Sequence, residues 1–270
     1  MAQAPLLHDW DTAFIELQSV DSTNNYARGL IHCQLARHGM AIYAHEQTAG
    51  KGQRGKSWIT EKNANLIVSI IIQPAPLELT QQFWLSACVA VAVQDFFSAY
   101  AGDDTKIKWP NDLYWQDRKA GGMLIESVVR SLPGRQAGSG PEGGNASSIA
   151  QWDWAIAGIG VNINQTVFSP NLPNPVSLKQ ITGKEFNPVT LAKEFCIIME
   201  EYFRQLITKG FTGIYDQYNH HLYKRNEPVR LKKDNRVFEA TIKYVSPSGK
   251  LIVQHSVEEE FDFGQVEWLL

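Results

Sequence analysis

The sequence predicts an α+β protein, with a mixed, mainly antiparallel sheet, flanking helices and a small C-terminal β-barrel. Segments 79–102 and 188–210 are apolar and long enough to form core helices. Between and before them lie short β-branched runs typical of strands. From about Asn226 only short strand-like runs and turns remain, so we divide the chain into domains 1–223 and 224–270.

The N-terminal region predicts a strand followed by a helix. AFIELQS (13–19) has the alternation of a half-buried strand. After it, Ser22 or Asp21 can cap a helix, because short oxygen-bearing side chains accept bonds from the first backbone N–H groups. We expect this helix to end at Gly39, since glycine commonly follows a helix C-terminus.

The next elements are two strands and a long helix. MAIYAHEQ (40–47) and NLIVSIIIQP (65–74) predict strands, the second almost continuously apolar as fully buried strands are. LTQQFWLSACVAVAVQDFFSAYAG (79–102) predicts a long buried helix, which we expect Thr80 to cap.

The second half predicts more strands, a loop and a helix. Segments 105–130 and 152–164 contain three or four strands, and the Gly-, Ser- and Pro-rich stretch between them (133–149) predicts a flexible hairpin excursion. Pro188 near its start and Gly210 after its end delimit another helix. The short segments that follow, with the turn SPSGK (246–250), fit a five-stranded barrel.

Composition bounds the classes of partner and compartment. The chain of 270 residues is 44% hydrophobic and 20% charged, as soluble globular proteins are, and its net charge of −3 provides no global attraction to nucleic acid. The N-terminus lacks a secretory pattern, and the run LIVSIII (66–72) is too short to span a bilayer. Cys33, Cys88 and Cys196 lack metal-ligand spacing, so we expect reduced core residues of a cytoplasmic protein.

The octet GKGQRGKS (50–57) matches the pattern of a nucleotide-binding P-loop. A P-loop requires a helix N-terminus after its glycine turn, because the helix N–H groups and dipole converge on the phosphates. WITEKNANLIVSIII follows Ser57 instead, and its β-branched residues predict a turn and a strand. We therefore predict that the match is accidental and that the chain is not a P-loop NTPase.

The octet still carries the elements of an anion site. Gly50, Gly52 and Gly55 let the backbone approach a ligand closely, and Lys51, Arg54 and Lys56 supply positive charge. The alternative is a solvated basic hairpin with no ligand.

Four motifs resemble one family when taken together. EQTAGKGQRGKSW (46–58) and KWPNDLYWQDRKAGGMLIE (108–126) resemble two signatures of the biotin protein ligases. DSTNNYA (21–27) and GIGVNIN (158–164) resemble the first and last signatures of that family, and all four stand in its order. The resemblance covers about residues 15–270 and implies a class II synthetase-like biotin/lipoate ligase catalytic domain followed by an SH3-like barrel.

The resemblance also implies a two-step reaction with ATP, Mg²⁺ and biotin. The biotin carboxylate attacks the α-phosphorus of ATP, which gives biotinyl-5′-AMP and pyrophosphate. A specific lysine of a biotin carboxyl carrier protein or domain, from acetyl-CoA carboxylase or a related carboxylase, then attacks the acyl-adenylate and releases AMP. The implied enzyme is a biotin–[biotin carboxyl-carrier protein] ligase.

Carried over onto this sequence, the resemblance assigns roles to individual residues. The expected catalytic residues are Lys119, Lys51, Arg54 and Asp112. The expected biotin-binding residues are Ser22, Thr23, Asn24, Gln47, Gly50, Lys119 and Gly122, and neutral hydroxyl and amide groups suit the uncharged ureido head. The expected nucleotide-binding residues are Lys51, Arg54, Lys56, Trp58, Asn111 and Asn162.

Some of these assignments leave alternatives open. Asp112 could position the carrier ammonium, accept its proton or bind Mg²⁺, but it could not lower the pKa of that amine, because a carboxylate stabilises the ammonium form. Asn162, like Asn164, is expected chiefly to satisfy backbone groups around the pocket. Lys51 and Gln53 stand where the family usually has arginines, so the loop loses one bidentate fork and one charge.

Two rival functions and the remaining partners complete the expectations. A lipoate-protein ligase shares the fold and the adenylation chemistry, and a non-catalytic biotin- or nucleotide-binding module is the rival from another class.

Only about 12 residues precede the first strand, too few for a helix-turn-helix, so we expect a monofunctional ligase without the DNA-binding domain. We expect no nucleic-acid or membrane partner, and a monomer or homodimer.

Overall fold

A seven-stranded sheet forms the larger part of the computed structural model, which describes residues 10–11, 13–132 and 149–269. Its strands in chain order are β1 (Phe14–Leu17), β2 (Ala41–Ala44), β3 (Leu66–Ile72), β4 (Thr105–Lys108), β5 (Asp112–Trp115), β6 (Arg118–Leu132) and β7 (Ile149–Val161). They lie in the order β1-β2-β3-β7-β6-β5-β4, and only β1 and β2 pair in parallel. The mainly antiparallel sheet is confirmed; most of the 133–149 excursion lies outside the described residues.

Helices cover the two faces of this sheet unequally. They are α1 (Thr23–His32), α2 (Gln82–Ala101), α3 (Leu178–Thr182), α4 (Pro188–Lys209) and α5 (Thr212–His220). On one face α4 packs against β3 and α2 packs against β4, β5 and β6, and Val68 and Ile70 of β3 belong to the main hydrophobic core there. The opposite face of β3 contacts α1, and only a small apolar cluster around Ile42, Ile71 and Ile156 fills the space between them. That second face is therefore the one left open to ligands.

Helix α2 is apolar on all sides because it lies inside the protein. Leu85, Val89, Val93 and Phe97 are fully buried against the sheet and against α4 and α5. By length and composition alone, the segment Leu79–Ala101 would suffice to cross a membrane, and most of it is buried within the fold. From the sequence, only the shorter run 66–72 was considered as a possible membrane span.

The C-terminal region forms a separate five-stranded sheet. Its strands are β8 (Pro228–Lys233), β9 (Arg236–Val245), β10 (Leu251–Gln254), β11 (Glu258–Phe261) and β12 (Glu267–Leu269), in the order β11-β10-β9-β8-β12 with every pair antiparallel. The predicted number of strands is confirmed, and the arrangement is consistent with an SH3-like domain. The stretch FDFGQVEWL (261–269) comprises the last residue of β11, a turn, and β12.

Two predicted helix ends are wrong. Helix α1 ends at His32, seven residues before Gly39, because Gln34 adopts a left-handed φ of 58° and turns the chain away. Thr80 does not cap the second helix. It lies inside a 3₁₀ turn (Leu79–Gln81) that precedes α2, and this turn begins with a capping box between Glu78 and Gln81.

Two further expectations about single residues are also wrong. Ser22 occupies the N-cap position of α1, but its hydroxyl makes no capping hydrogen bond. Cys33 follows the last turn of α1 and is exposed, whereas Cys88 is buried in α2 and Cys196 is partly buried in α4. Nearby Leu35 is exposed as well, whereas Leu30, Ile31 and Ala36 are partly buried against the small apolar cluster.

The buried side chain of Asn219 fastens α5 to the C-terminal sheet. Its Oδ1 accepts a bond of 2.7 Å from Val245 N, and its Nδ2 donates to Val245 O at 3.1 Å. This pair of bonds imitates strand pairing at the end of β9.

We expect Asn219→Ala to lower the free energy of unfolding by about 2–3 kcal/mol, because it leaves two buried backbone groups of Val245 without partners. Urea denaturation followed by circular dichroism measures the change. The control is Asp216→Ala, an exposed position on the same helix, which should shift stability by less than about 0.5 kcal/mol. Equal effects of the two substitutions would contradict the role given to Asn219.

Candidate functional site

The open face of the large sheet carries a trough of three glycines. Gly158 and Gly160 of β7 and Gly122 of β6 lie in adjacent register positions, since Gly160 pairs with Gly122. Side chains from elsewhere occupy the space that Cβ atoms would need. A Cβ at Gly158 would overlap Asn24 Oδ1, and one at Gly160 would lie 2.5 Å from the Trp58 ring. The backbone of the sheet is therefore bare at this point, so that other groups approach it closely.

One end of the trough is formed by an uncharged set of side chains, here called the polar row: the buried Thr23, Asn24 and Ser69, and the half-buried Gln47. Ser69 Oγ lies 2.7 Å from Thr23 Oγ1 and 2.6 Å from Asn24 Oδ1. Gln47 Oε1 accepts from Thr23 N at 2.8 Å and from Thr23 Oγ1 at 3.1 Å. The first two residues of α1 are thereby tied to β3 and to the segment after β2.

Sequence analysis predicted three of these four residues, together with Ser22 and Gly50. Ser22 is buried beside Thr23, with its hydroxyl not spent on a cap. Gly50 begins the glycine loop, where a Cβ would lie 2.8 Å from Gln47 Nε2. The structure thus brings the predicted neutral residues together at one place.

The glycine loop forms a tight turn, and no helix follows it. Gly52 N donates to Lys56 O at 2.7 Å, Trp58 N donates to Gly50 O at 2.8 Å, and residues 53–55 make a single 3₁₀ turn. Residues 57–65 contain no helix before β3 begins at Leu66. The prediction that this octet is not a P-loop is confirmed, because the helix N-terminus that would hold phosphates is missing from this position.

Two of the loop cations, Lys51 and Arg54, have partners away from the Asp112–Lys119 pair. Lys51 Nζ donates to Asn25 Oδ1 of α1, whereas Lys56 is exposed and near enough to Lys108 to affect its pKa. Arg54 reaches the C-terminal sheet, where its Nη2 donates to Gly264 O at 3.3 Å and its guanidinium lies 5.4 Å from the Phe263 ring centroid. The role of Arg54 beside the reacting phosphates stays a prediction.

Trp58 leaves the loop and lies on the bare backbone of Gly160. Within the described part of the chain, its buried Nε1 has no hydrogen-bond partner. An aromatic face and a free donor at the middle of the trough suit a planar heterocycle. This matches the predicted place for the nucleotide base, a role that stays a prediction.

The other end of the trough is charged. Lys119 Nζ donates to Asp112 Oδ1 at 2.6 Å, and both side chains are about a quarter exposed (27% and 23%). A Cβ at Gly122 would lie 3.3 Å from Asp112 Oδ1 and 3.7 Å from Lys119 Nζ, so glycine makes room for the pair. The ion pair and Gly122, predicted from one motif, stand side by side.

The two asparagines near this end have structural partners. Asn111 Nδ2 donates to Met123 O, and Met123 N donates to Asn111 O, which pins the turn before β5 to β6. Asn162 Nδ2 donates to Val176 O at 3.1 Å, and only 5% of the residue is exposed. The expectation that Asn162 satisfies backbone groups agrees with these contacts; nucleotide contact by either residue stays a prediction.

Three residues of this face were missed by sequence analysis. Ser69 was not predicted because the rest of its strand is apolar, although a single serine inside LIVSIII already indicates a position with a polar role. Glu126 ends a quoted motif and accepts from Asn24 Nδ2 at 2.8 Å. Lys108 begins the same motif and projects on the face that carries Asp112, its register partner.

Lys108 is a cation enclosed by aromatic rings. Its Nζ lies 4.9 Å from the ring centroid of Tyr114 and 5.4 Å from that of Trp268 in β12. The pKa of Lys108 is lowered to about 8, chiefly by burial and with smaller contributions from the nearby Lys119 and Lys56, while Asp112 acts in the opposite direction. A second ammonium group therefore belongs to the charged end of the trough.

Comparison with known proteins adds a family. Residues 16–135 match the sequence profile of the Biotin/lipoate A/B protein ligase family. The Bifunctional ligase/repressor BirA of Bacillus spizizenii is 31% identical over 201 residues, which cover 72% of this chain and 55% of that protein. The Biotin--[acetyl-CoA-carboxylase] ligase of Paracoccus denitrificans is 27% identical over 219 residues, covering 79% and 83% respectively. The chain spans about half the length of the two Bacillus relatives it matches.

Solved structures agree on the fold. The biotin protein ligase from Aquifex aeolicus in complex with biotin and ATP superposes with a TM-score of 0.75 at 22% identity, covering 95% of this chain and 98% of that one. The biotin acetyl coenzyme A carboxylase synthetase from Helicobacter pylori gives a TM-score of 0.55 at 17% identity, covering 92% and 99%. The predicted fold class is confirmed by these likenesses.

The lowered pKa of Lys108 predicts pH-dependent binding of a polyanion. As pH rises through about 8 the ammonium loses its proton, so affinity for inorganic tripolyphosphate should fall by up to about tenfold per pH unit. Calorimetric titration between pH 7 and 9 at low salt measures it. Lys108→Met should bind weakly with a flat profile, whereas Lys106→Met, two residues earlier in β4, should keep the wild-type slope. A wild-type profile that is flat to pH 9 would contradict this.

Proposed function

The chain carries a domain of the biotin/lipoate protein ligase family, and from that premise we propose that it is an ATP-dependent biotin ligase. It joins biotin to a specific lysine of a biotin carboxyl carrier domain, through biotinyl-5′-AMP. The observation that supports this best is the trough itself, which has an uncharged hydrogen-bonding end and a cationic end on one bare stretch of sheet. Biotin has the same division, with a neutral ureido head and an anionic carboxylate.

In the proposed first step, the biotin carboxylate attacks the α-phosphorus of ATP and pyrophosphate leaves. Both reactants are anions, so a fixed cation must lie between them. The Lys119 ammonium, held by Asp112, is in place to do this. At ~4 Å and an effective dielectric near 20, one such charge is worth about 4 kcal/mol, which corresponds to orders of magnitude in rate. Lys108 adds a second charge on the same face.

In this proposal the glycine loop moves when ATP binds. Arg54 is exposed and reaches the Gly264 carbonyl through one hydrogen bond of 3.3 Å, which costs little to break. When ATP enters, Arg54 and Lys51 leave their present partners and turn, together with Lys56, towards the phosphates. Trp58 already lies over Gly160, where the adenine ring can stack.

Mg²⁺ enters as part of the ATP complex rather than as a resident ion. In the described ranges there is no cluster of three acidic, histidine or cysteine side chains that could hold a metal alone. Asp112 provides one carboxylate, and Mg²⁺ in such sites is commonly held by one or two carboxylates together with the phosphates. Held there with the phosphates, Mg²⁺ would supply positive charge that neutralises the leaving pyrophosphate.

In the proposed second step, the amine of the carrier lysine attacks the carbonyl carbon of the adenylate. The C–N bond forms, the bond to the phosphate oxygen breaks, and AMP leaves. Asp112 positions the incoming ammonium and takes its proton as attack proceeds. The acceptor is a carrier domain of the acetyl-CoA carboxylase type, as the name of the Paracoccus relative suggests.

We propose that the enzyme acts in the cytoplasm as a monomer or homodimer, without nucleic acid as a partner.

Lipoate attachment is the rival function within the family. The polar row favours biotin, because a dithiolane ring offers no N–H or carbonyl for Thr23, Asn24 and Gln47 to bind.

The decisive experiment incubates the protein with ATP, Mg²⁺, a biotin carboxyl carrier domain and either biotin or lipoate, and weighs the carrier by mass spectrometry. We expect the mass increase of one biotinyl group and none with lipoate. A lipoyl adduct instead would select the rival ligase. Ligand binding without any adduct or pyrophosphate release would select a non-catalytic binding module.

We expect Lys119→Ala to keep biotin binding but to lose at least about 100-fold in pyrophosphate release, because the charge between the two anions is removed. Coupled phosphate detection and calorimetry measure the two quantities. Lys179→Ala, which breaks a surface ion pair with Glu185, is the control and should keep the wild-type rate. A wild-type rate in Lys119→Ala would show that another group holds the reactants.

A further inference from the structure

We propose that Glu126 is a positioning residue that sets the hydrogen-bond polarity of the polar row towards the biotin ureido group. The inference rests on the proposed function, since it takes biotin as the ligand. Its basis is a continuous chain of side chains running from Arg28 through Glu126, Asn24 and Ser69 to Thr23.

Glu126 is fixed from two sides by α1. Arg28 Nη2 lies 3.0 Å from Glu126 Oε1, and Asn24 Nδ2 donates to Glu126 Oε2 at 2.8 Å. Asn24 and Arg28 are four residues apart, so they lie on the same face of the helix. One carboxylate therefore holds a cation and an amide from successive turns of α1 and leaves the amide a single orientation.

That orientation determines the direction of each following hydrogen bond. An ionised carboxylate only accepts, so Asn24 must present its NH₂ to Glu126 and its Oδ1 to Ser69. Ser69 has one proton and two acceptors, Asn24 Oδ1 at 2.6 Å and Thr23 Oγ1 at 2.7 Å, and shares the proton between them. Thr23 in turn donates its own proton to Gln47 Oε1 at 3.1 Å.

The open end of the chain then has a defined character. Thr23 Oγ1 keeps a free lone pair and is an acceptor, while Gln47, whose Oε1 is held by Thr23, turns its NH₂ towards the glycine loop as a donor. A ureido group offers the complementary N–H and C=O. The three residues Asn24, Ser69 and Thr23 are buried, so no water competes for these directions.

A purely structural role for Glu126 predicts something different. The Arg28–Glu126 pair is 36% and 23% exposed, and ion pairs of this kind contribute little to stability. If Glu126 only stabilised the fold, its removal would affect all ligands alike. If it sets polarity, its removal must alter the choice between ligands that differ in one donor.

The test is Glu126→Gln, which keeps the shape but can donate as well as accept. Asn24 is then free to invert, Ser69 gives its proton to Thr23 alone, and Thr23 Oγ1 becomes a weaker acceptor for the ureido N–H. We expect the KM for biotin to rise about tenfold or more, with KM for ATP and kcat within about twofold. Asp153→Asn is the matched control: Asp153 is equally exposed (24%), pairs with Arg130 at 3.1 Å, and lies further along the β6–β7 hairpin.

Ligand choice gives the readout that separates polarity from stability. The probes are the two cyclic carbamate analogues of biotin, each with one ureido N–H replaced by oxygen. The wild type should discriminate strongly against one of them, and Glu126→Gln should reduce that ratio about tenfold. In a Ser69→Ala background, where the relay is already broken, Glu126→Gln should change the ratio no further.

Two results would overturn the inference: equal weakening of biotin and both analogues by Glu126→Gln, or an effect of Asp153→Asn as large as that of Glu126→Gln. An undiminished effect of Glu126→Gln on ligand choice in the Ser69→Ala background would overturn the relay. Failure of the proposed function is seen separately, as a wild-type protein that binds no biotin.

Discussion

The close approach of side chains to bare backbone at Gly158, Gly160 and Gly122 is the constraint on which the site depends. Any Cβ at the first two positions would collide with Asn24 or Trp58, and one at the third would crowd the Asp112–Lys119 pair. The main core packs the opposite face of the same strands, so the sheet itself cannot move away to make room. Glycine in the middle of paired strands lowers the stability of the sheet. Here that loss of stability accompanies a trough with rigid walls.

The two ends of the trough differ in chemistry and lie a few strand positions apart. At the α1 end the polar groups are buried and neutral, so their directions are fixed by one another. At the β4–β5 end the groups are charged: Lys119 is paired with Asp112, and burial lowers the pKa of Lys108. A ligand with one neutral and one anionic end fits this division only in one orientation. The sheet register, in which Ser69, Gly158, Gly160 and Gly122 occupy neighbouring rows, sets the distance between the two ends.

Much of this could be predicted from sequence where a local pattern determines the outcome. β3 and α2 are predominantly apolar, and a glycine loop followed by β-branched residues does not favour a helix start, so these predictions were confirmed. The end of α1 was not predictable in this way, because Gln34 adopts a left-handed conformation that its residue type does not require. Ser69, Glu126 and Lys108 acquire their meaning only from register and from contacts between distant segments. The partner of Arg54 is likewise more than 200 residues away in sequence.

The contact between Arg54 and the turn at Gly264 couples two parts of the chain that are otherwise distinct. Gly264 has a φ of 89°, and any side chain there would displace the guanidinium, so the resting place of the loop arginine depends on a glycine in the C-terminal sheet. The resting position of Arg54 can therefore change through substitutions in the small sheet, far from the Asp112–Lys119 pair.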